Sequence, residues 1–131
     1  MESAQQRFKW VLQALAQTPE IQQGLYPGFV EVADELALEH EEALRSWIES
    51  GARDLATAGQ LAAVGALDRQ LEGMSDPVNA GLLWSRDALA SRPEWRAVRR
   101  LAGAALESLG WPNSPPPRER GAIFVSDPST R

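Results

Sequence analysis

The stretch Phe29-Val-Glu-Val-Ala-Asp-Glu-Leu-Ala-Leu-Glu-His-Glu-Glu-Ala-Leu-Arg-Ser-Trp-Ile-Glu-Ser50 decides the fold class. Side chains turn by about 100° per residue around a helix axis. On that wheel Phe29, Val32, Ala33, Leu36, Ala43, Leu44 and Trp47 form one apolar stripe, with His40 inside it. Glu31, Asp34, Glu35, Glu39, Glu41, Glu42 and Glu49 occupy the remainder, with Leu38 alone among them. The spacing predicts an amphipathic helix over 29–50, closed by Gly51.

The same punctuation extends to both sides. Toward the N-terminus, Ser3 with Gln6 makes a capping box, in which each side chain satisfies a free backbone amide of the first turn. Phe8, Val11, Leu12 and Leu15 follow at helical spacing. Thr18-Pro19 opens a short second helix that Gly24 ends. Tyr26-Pro27-Gly28-Phe29 reads as a turn. Toward the C-terminus, Leu61, Val64, Leu67 and Leu71 predict a helix over about 54–72; Leu55 falls off that side, so Thr57 with Gln60 offers a later start. Gly59 and Gly65 each cost such a helix about 1 kcal/mol relative to Ala, which predicts the close approach of a neighbouring helix there. Asp76-Pro77 opens a fifth helix to Ala90 carrying Val78, Leu82, Leu83 and Leu89. Ser91-Arg92-Pro93-Glu94 is a further capping box. It leads a sixth helix with Trp95, Val98, Leu101, Ala102, Ala105, Leu106 and Leu109, stopped by Gly110 and Pro112. The expected fold is all-α, a compact bundle of five or six helices over residues 1–111. Residues 112–131 are expected to form a flexible, Pro-rich tail. In it Pro112-Asn113-Ser114-Pro115-Pro116-Pro117 is extended and unpacked, and Ala122-Ile123-Phe124-Val125 is a small apolar patch.

Composition narrows the function. The 131 residues carry a net charge of −5 and contain no cysteine, which excludes disulfide scaffolds, thiolate metal sites and a cysteine nucleophile. No run approaches the roughly 18 apolar residues of a membrane span, and the N-terminus lacks the order of a signal peptide. Membrane partners are therefore not expected, and a cytoplasmic location is. An acidic pI near 4.9 argues against general nucleic-acid binding, which depends on basic patches.

The acidic third helix holds the candidate site. From Glu31 to Glu49 it has seven acids against one base, Arg45, a local charge of −6. Glu35, Glu39 and Glu42 lie within about 60° of one another on the wheel, so three carboxylates share a face. Such a face can meet a basic protein partner or hold Mg²⁺ or Mn²⁺. All-α nucleoside-triphosphate pyrophosphatases pair an E-x-x-E helix with an E-x-x-D helix around magnesium. Glu39-x-x-Glu42 resembles the first half, but Asp68-x-x-x-Glu72 has the wrong spacing for the second. His40 is the only histidine. In the middle of an apolar stripe it reads as a core or boundary side chain with a hydrogen-bond partner. Of the five tryptophans, Trp47 and Trp95 fit core stripes. Trp10 and Trp84 sit off theirs, as second-interface fillers or surface anchors, and Trp111 is placed to pack back on the sixth helix. Arg86, Arg92, Arg96, Arg99 and Arg100 form a basic cluster expected to be solvated or to pair with the acidic helix.

Residues 64–90 resemble uncharacterised all-helical bacterial domains found among toxin-immunity proteins. Leu67 and Leu71, Ser75-Asp76-Pro77-Val78-Asn79, Leu82, Leu83 and Asp87-Ala88-Leu89 carry the likeness. The resemblance implies a binding protein without catalytic residues; no cofactor is expected. The leading expectation is a protein-binding module, immunity or antitoxin-like, meeting another protein through Glu35, Glu39 and Glu42. Alternatives are a Mg/Mn-dependent nucleotide hydrolase of all-α type, with Glu39 and Glu42 as metal ligands, and a self-associating structural protein.

Overall fold

The computed structural model describes residues 3–79 and 81–118. Side-chain caps open four of the described helices. Ser3 and Gln6 form the reciprocal box that opens α1 (Ala4–Leu15), and Thr18 caps α2 (Pro19–Gly24). Then come α3 (Val32–Glu49) and the single turn α4 (Ala52–Leu55). Thr57 and Gln60 make a second capping box and open α5 (Ala58–Met74), so the later of the two starts is the real one. A 3₁₀ turn at Pro77–Asn79 follows, then α6 (Arg86–Ser91) and α7 (Pro93–Leu109). No strand occurs among the described residues, and the fold is all-α. None of its helices is long and apolar enough to cross a membrane.

The principal pairings run α3 on α1, α1 on α7 and α7 on α5, with α6 against α7. The core lies along this series. Phe8, Leu12 and Leu15 of α1, Leu36 of α3, Leu67 of α5 and Trp95, Val98 and Leu106 of α7 are fully buried, each such side chain contributing roughly 1.5–3 kcal/mol. Gln22, fully buried, donates through Nε2 to the Ala14 and Leu15 carbonyls. It thereby satisfies orphan acceptors at the C-terminus of α1, and its own Oε1 accepts from Arg99 at 3.4 Å.

Four local expectations are corrected. First, α3 starts at Val32 rather than Phe29, which is 75% exposed and outside the stripe. The turn closed by Val30 N–H to the Pro27 carbonyl holds Phe29 away from the core. Second, no helix spans 77–90. Gly81 adopts φ +79°, and two indoles take carbonyls: Trp95 Nε1 donates to Leu83 (2.6 Å) and Trp84 Nε1 to Met74 (3.2 Å). These tertiary bonds outweigh local helix propensity, and Val78 and Leu82 remain exposed. Third, the Ser91/Glu94 box does not form. Ser91 closes α6, with its Oγ donating to the Asp87 carbonyl, while Pro93 starts α7. Fourth, no neighbouring helix approaches Gly59 or Gly65. A Cβ on Gly65 would meet Arg69 of its own helix, and one on Gly59 only the Thr57 hydroxyl.

The segment 112–117 is neither helix nor strand, and against expectation it packs. Trp10 Nε1 donates to the Pro117 carbonyl (2.7 Å), Gln13 Nε2 to the Pro112 carbonyl (2.9 Å) and Gln17 Nε2 to Asn113 Oδ1 (3.1 Å). Pro116 is buried. This strap buries the face of α1 that carries Trp10, whose ring also meets Tyr26 edge-on at 6.2 Å. Trp10 is thus interior rather than a surface anchor. Trp111 packs back on the core, with its ring edge-on to Phe8 at 6.3 Å. Ile123, Phe124 and Val125 lie outside the described residues.

Candidate functional site

The structure does bring Glu35, Glu39 and Glu42 to one face of α3. Arg7 of α1 reaches the same face. Its Nη2 lies 2.7 Å from Glu42 Oε1 and 3.5 Å from Glu39 Oε1. Glu39 is only 5% exposed. A guanidinium therefore already sits where a metal or a partner's cation would bind the Glu39–Glu42 pair. Glu35 lies beside them, and its carboxyl is pushed above the usual range by burial, then by the charges of Glu39, Glu42 and Asp34. Among the described residues no three His, Asp or Glu side chains come together as a metal site. Three arginines of the basic cluster pair elsewhere than with α3. Arg99 Nη1 donates to the Leu89 carbonyl and to Gln22, Arg96 to the Ser91 carbonyl, and Arg92 pairs with Glu94.

A groove opens on the adjoining side of α3. Asp34, Ala37, Leu38 and Glu41, at i, i+3, i+4 and i+7, form one stripe of that helix. Asp68, Leu71, Glu72 and Ser75 form a stripe of the same period on α5. The two stripes border adjoining hollows that share Ala37, Leu38 and Ser75. The inner hollow, of about 250 Å³, is lined by the residues of these two stripes other than Asp34, together with His40. The outer one, of about 500 Å³, continues past Asp34, Asp76, Pro77 and Gly81 to Trp84. Five acids line the pair, Asp34, Glu41, Asp68, Glu72 and Asp76, and among the described residues no lysine or arginine does. Glu41 makes only a loose, exposed pair with Arg45 at 3.8 Å, the kind that contributes little. Leu38 is 53% exposed on the α3 wall, so the groove combines acidic rims with apolar ground.

His40 is among the residues that line the inner hollow. It is 2% exposed, and its Nε2 is buried without a hydrogen-bond partner among the described residues. Burial pushes its pKa down to about 4, against the opposing pull of the Asp68 charge. At neutral pH the imidazole is therefore uncharged and able to accept a hydrogen bond.

From the sequence, α3 was identifiable as the acidic helix, but the groove was not. Asp68 and Glu72 register in the sequence only as a mismatch to a metal motif. Their i, i+4 spacing on the face bearing Leu71 is the signal that places them together. No protein-family model, curated protein or solved structure matches this chain.

Proposed function

We propose that this chain is a small cytoplasmic protein-binding module, immunity or antitoxin-like, that receives a basic, amphipathic segment of another protein in the α3–α5 groove. The observation that carries this reading is the lining of that groove, with five carboxylates, no lysine or arginine among the described residues, and the apolar surface of exposed Leu38 and of Trp84. Acidic rims steer a cationic segment and fix its register, while the apolar ground takes its hydrophobic side chains. The Glu35–Glu39–Glu42 face borders the groove and extends the same negative field. Arg7 braces Glu39 and Glu42, which leaves Glu35 as the contributor to binding among the three. The likeness of residues 64–90 to immunity-type domains agrees with this reading, since Asp68, Leu71, Glu72, Ser75 and Trp84 line the groove.

The test is titration of the protein with a Leu/Lys amphipathic helical peptide and with its Leu/Glu counterpart. The expected outcome is saturable binding of the Lys peptide alone, weakening as salt screens the rims. Affinity should fall by about tenfold or more, roughly 1.4 kcal/mol, in the Glu41→Lys/Glu72→Lys variant. Equal binding of both peptides, or unchanged binding by the reversed variant, overturns the proposal.

A further inference from the structure

On α1, Gln6, Trp10, Gln13 and Gln17 stand at i, i+4, i+7 and i+11, or just past its end, and fall on one stripe. Three of them donate to the strap: Gln17 to Asn113 Oδ1, Gln13 to the Pro112 carbonyl and Trp10 to the Pro117 carbonyl. Two of the three acceptors are main-chain oxygens, so the stripe reads the path of a backbone more than its side chains. No backbone-to-backbone bond ties 112–117 to the rest of the chain among the described residues. Ser114, Pro115 and Pro116 each precede a proline, which biases them to the β and polyproline II region. Pro116 is buried, and Tyr26 braces the Trp10 ring edge-on at 6.2 Å. An aromatic wall beside a buried proline is the arrangement on which polyproline II segments dock.

The stripe is longer than the segment lying on it. At Pro117 it opens into a hollow of about 350 Å³, lined by Gln6, Lys9, Trp10, Gln13 and Pro117. Lys9 forms no ion pair among the described residues. We infer that this stripe of α1 is a docking site for a proline-rich segment of another protein, which displaces the strap, takes the donors of Trp10, Gln13 and Gln17, and carries an acidic residue on to Lys9. The site shares no lining residue with the α3–α5 groove and stands or falls without it. The strap shows what the surface accepts: carbonyl oxygens on a stiff backbone that has little entropy left to lose on docking. As a tethered competitor it acts at an effective concentration on the order of millimolar. A longer ligand competes because it also gains Gln6 and Lys9, past the point where Pro117 ends.

The probe is Ac-Pro-Pro-Pro-Pro-Pro-Pro-Glu-Glu-amide, with Ac-Gly-Ser-Gly-Ser-Gly-Ser-Glu-Glu-amide as its flexible control. The readout is the Trp10 indole N–H signal in a ¹H–¹⁵N spectrum of the full chain, assigned from its loss in Trp10→Phe. The expected result is saturable movement of that signal by the proline peptide alone. Ser114→Gly/Pro115→Gly alters two exposed strap positions and touches none of the donors. By loosening the strap it should tighten the apparent affinity about threefold or more, since the stripe is uncovered more of the time. Lys9→Glu should weaken it about threefold. A Trp10 signal that stays still in both the unaltered and the loosened chain overturns the proposal, as does equal movement by the Gly/Ser peptide. Unchanged affinity in either variant overturns it too, because the peptide then binds without displacing the strap or without reaching Lys9. If dilution alone moves the signal, the stripe exchanges straps with a second copy, and the assignment to another protein falls.

Discussion

His40 shows how one helical position can serve two environments. It lies at the edge of the α3 stripe, between Leu36 and Ala43 in the core and Ala37 on the groove wall. Phe8 of α1 meets its ring at 6.5 Å, Asp68 and Glu72 border it from α5, and Glu41 borders it from its own helix. Folding lowers its pKa from 6.5 to about 4. Between those values the unfolded chain binds a proton that the folded chain refuses, so the stabilisation is complete above pH 6.5 and is lost as pH falls toward 4. The shift corresponds to about 3 kcal/mol. Glu35, with its raised pKa, works in the opposite direction. The expected outcome is a steep decline of stability in urea from pH 7 to pH 4.5, flattened in a His40→Gln variant. A flat profile in the unaltered protein would show that the imidazole titrates normally. The stripe made His40's burial legible in the sequence. It could not reveal that Nε2 lacks a partner among the described residues, because that depends on how the neighbouring elements pack.

At the scale of elements, the sequence was readable wherever a local hydrogen bond decided the outcome. Ser3/Gln6 and Thr57/Gln60 form their boxes because both partners lie within one turn. Reading failed where distant groups claimed the same atoms. The 77–90 segment has helical spacing, but the Leu83 and Met74 carbonyls go to indoles of Trp95 and Trp84, and Asn79 Nδ2 turns back to the Gly73 carbonyl. The glycines of α5 tell a similar story. In the sequence Gly65 reads as room for a neighbouring helix, yet the nearest atom to an added methyl would be the flexible tip of Arg69, at 3.2 Å. Gly65→Ala should therefore stabilise α5 by about 1 kcal/mol, raising Tm by several degrees for a chain of this size. A lowered Tm would mean that Arg69 cannot move aside.

At the scale of the molecule, α1 is clasped from three sides, by α3, by α7 and by the strap at 112–117. The strap was hidden from sequence reading because prolines cannot donate. Its contacts depend instead on proline and asparagine oxygens accepting from Trp10, Gln13 and Gln17, about a hundred positions away in the chain. Trp10→Phe keeps most of the ring but removes the donor to Pro117, and should cost about 1 kcal/mol. Hydrogen exchange of the Trp10 indole N–H should be slow in the unaltered chain, and rapid exchange would refute the clasp. The groove, likewise, exists only at this scale. Each helix alone is an ordinary amphipath, and the acidic channel appears once the pairing series α3–α1–α7–α5 brings its two outer members to face each other.

The edge-on pair of Trp84 and Trp95, with centroids 5.6 Å apart, gives this arrangement an optical consequence. Trp95 is sealed in the core, whereas Trp84 is half-buried at the outer end of the groove. Excitation absorbed by the inner indole passes readily to its neighbour, and the neighbour's emission colour depends on whether water or an occupant lies against it. If the groove takes the proposed segment, Trp84, one of five tryptophans, should shift its emission to the blue on mixing, with no label attached; unchanged emission would count against a segment seated at the outer end.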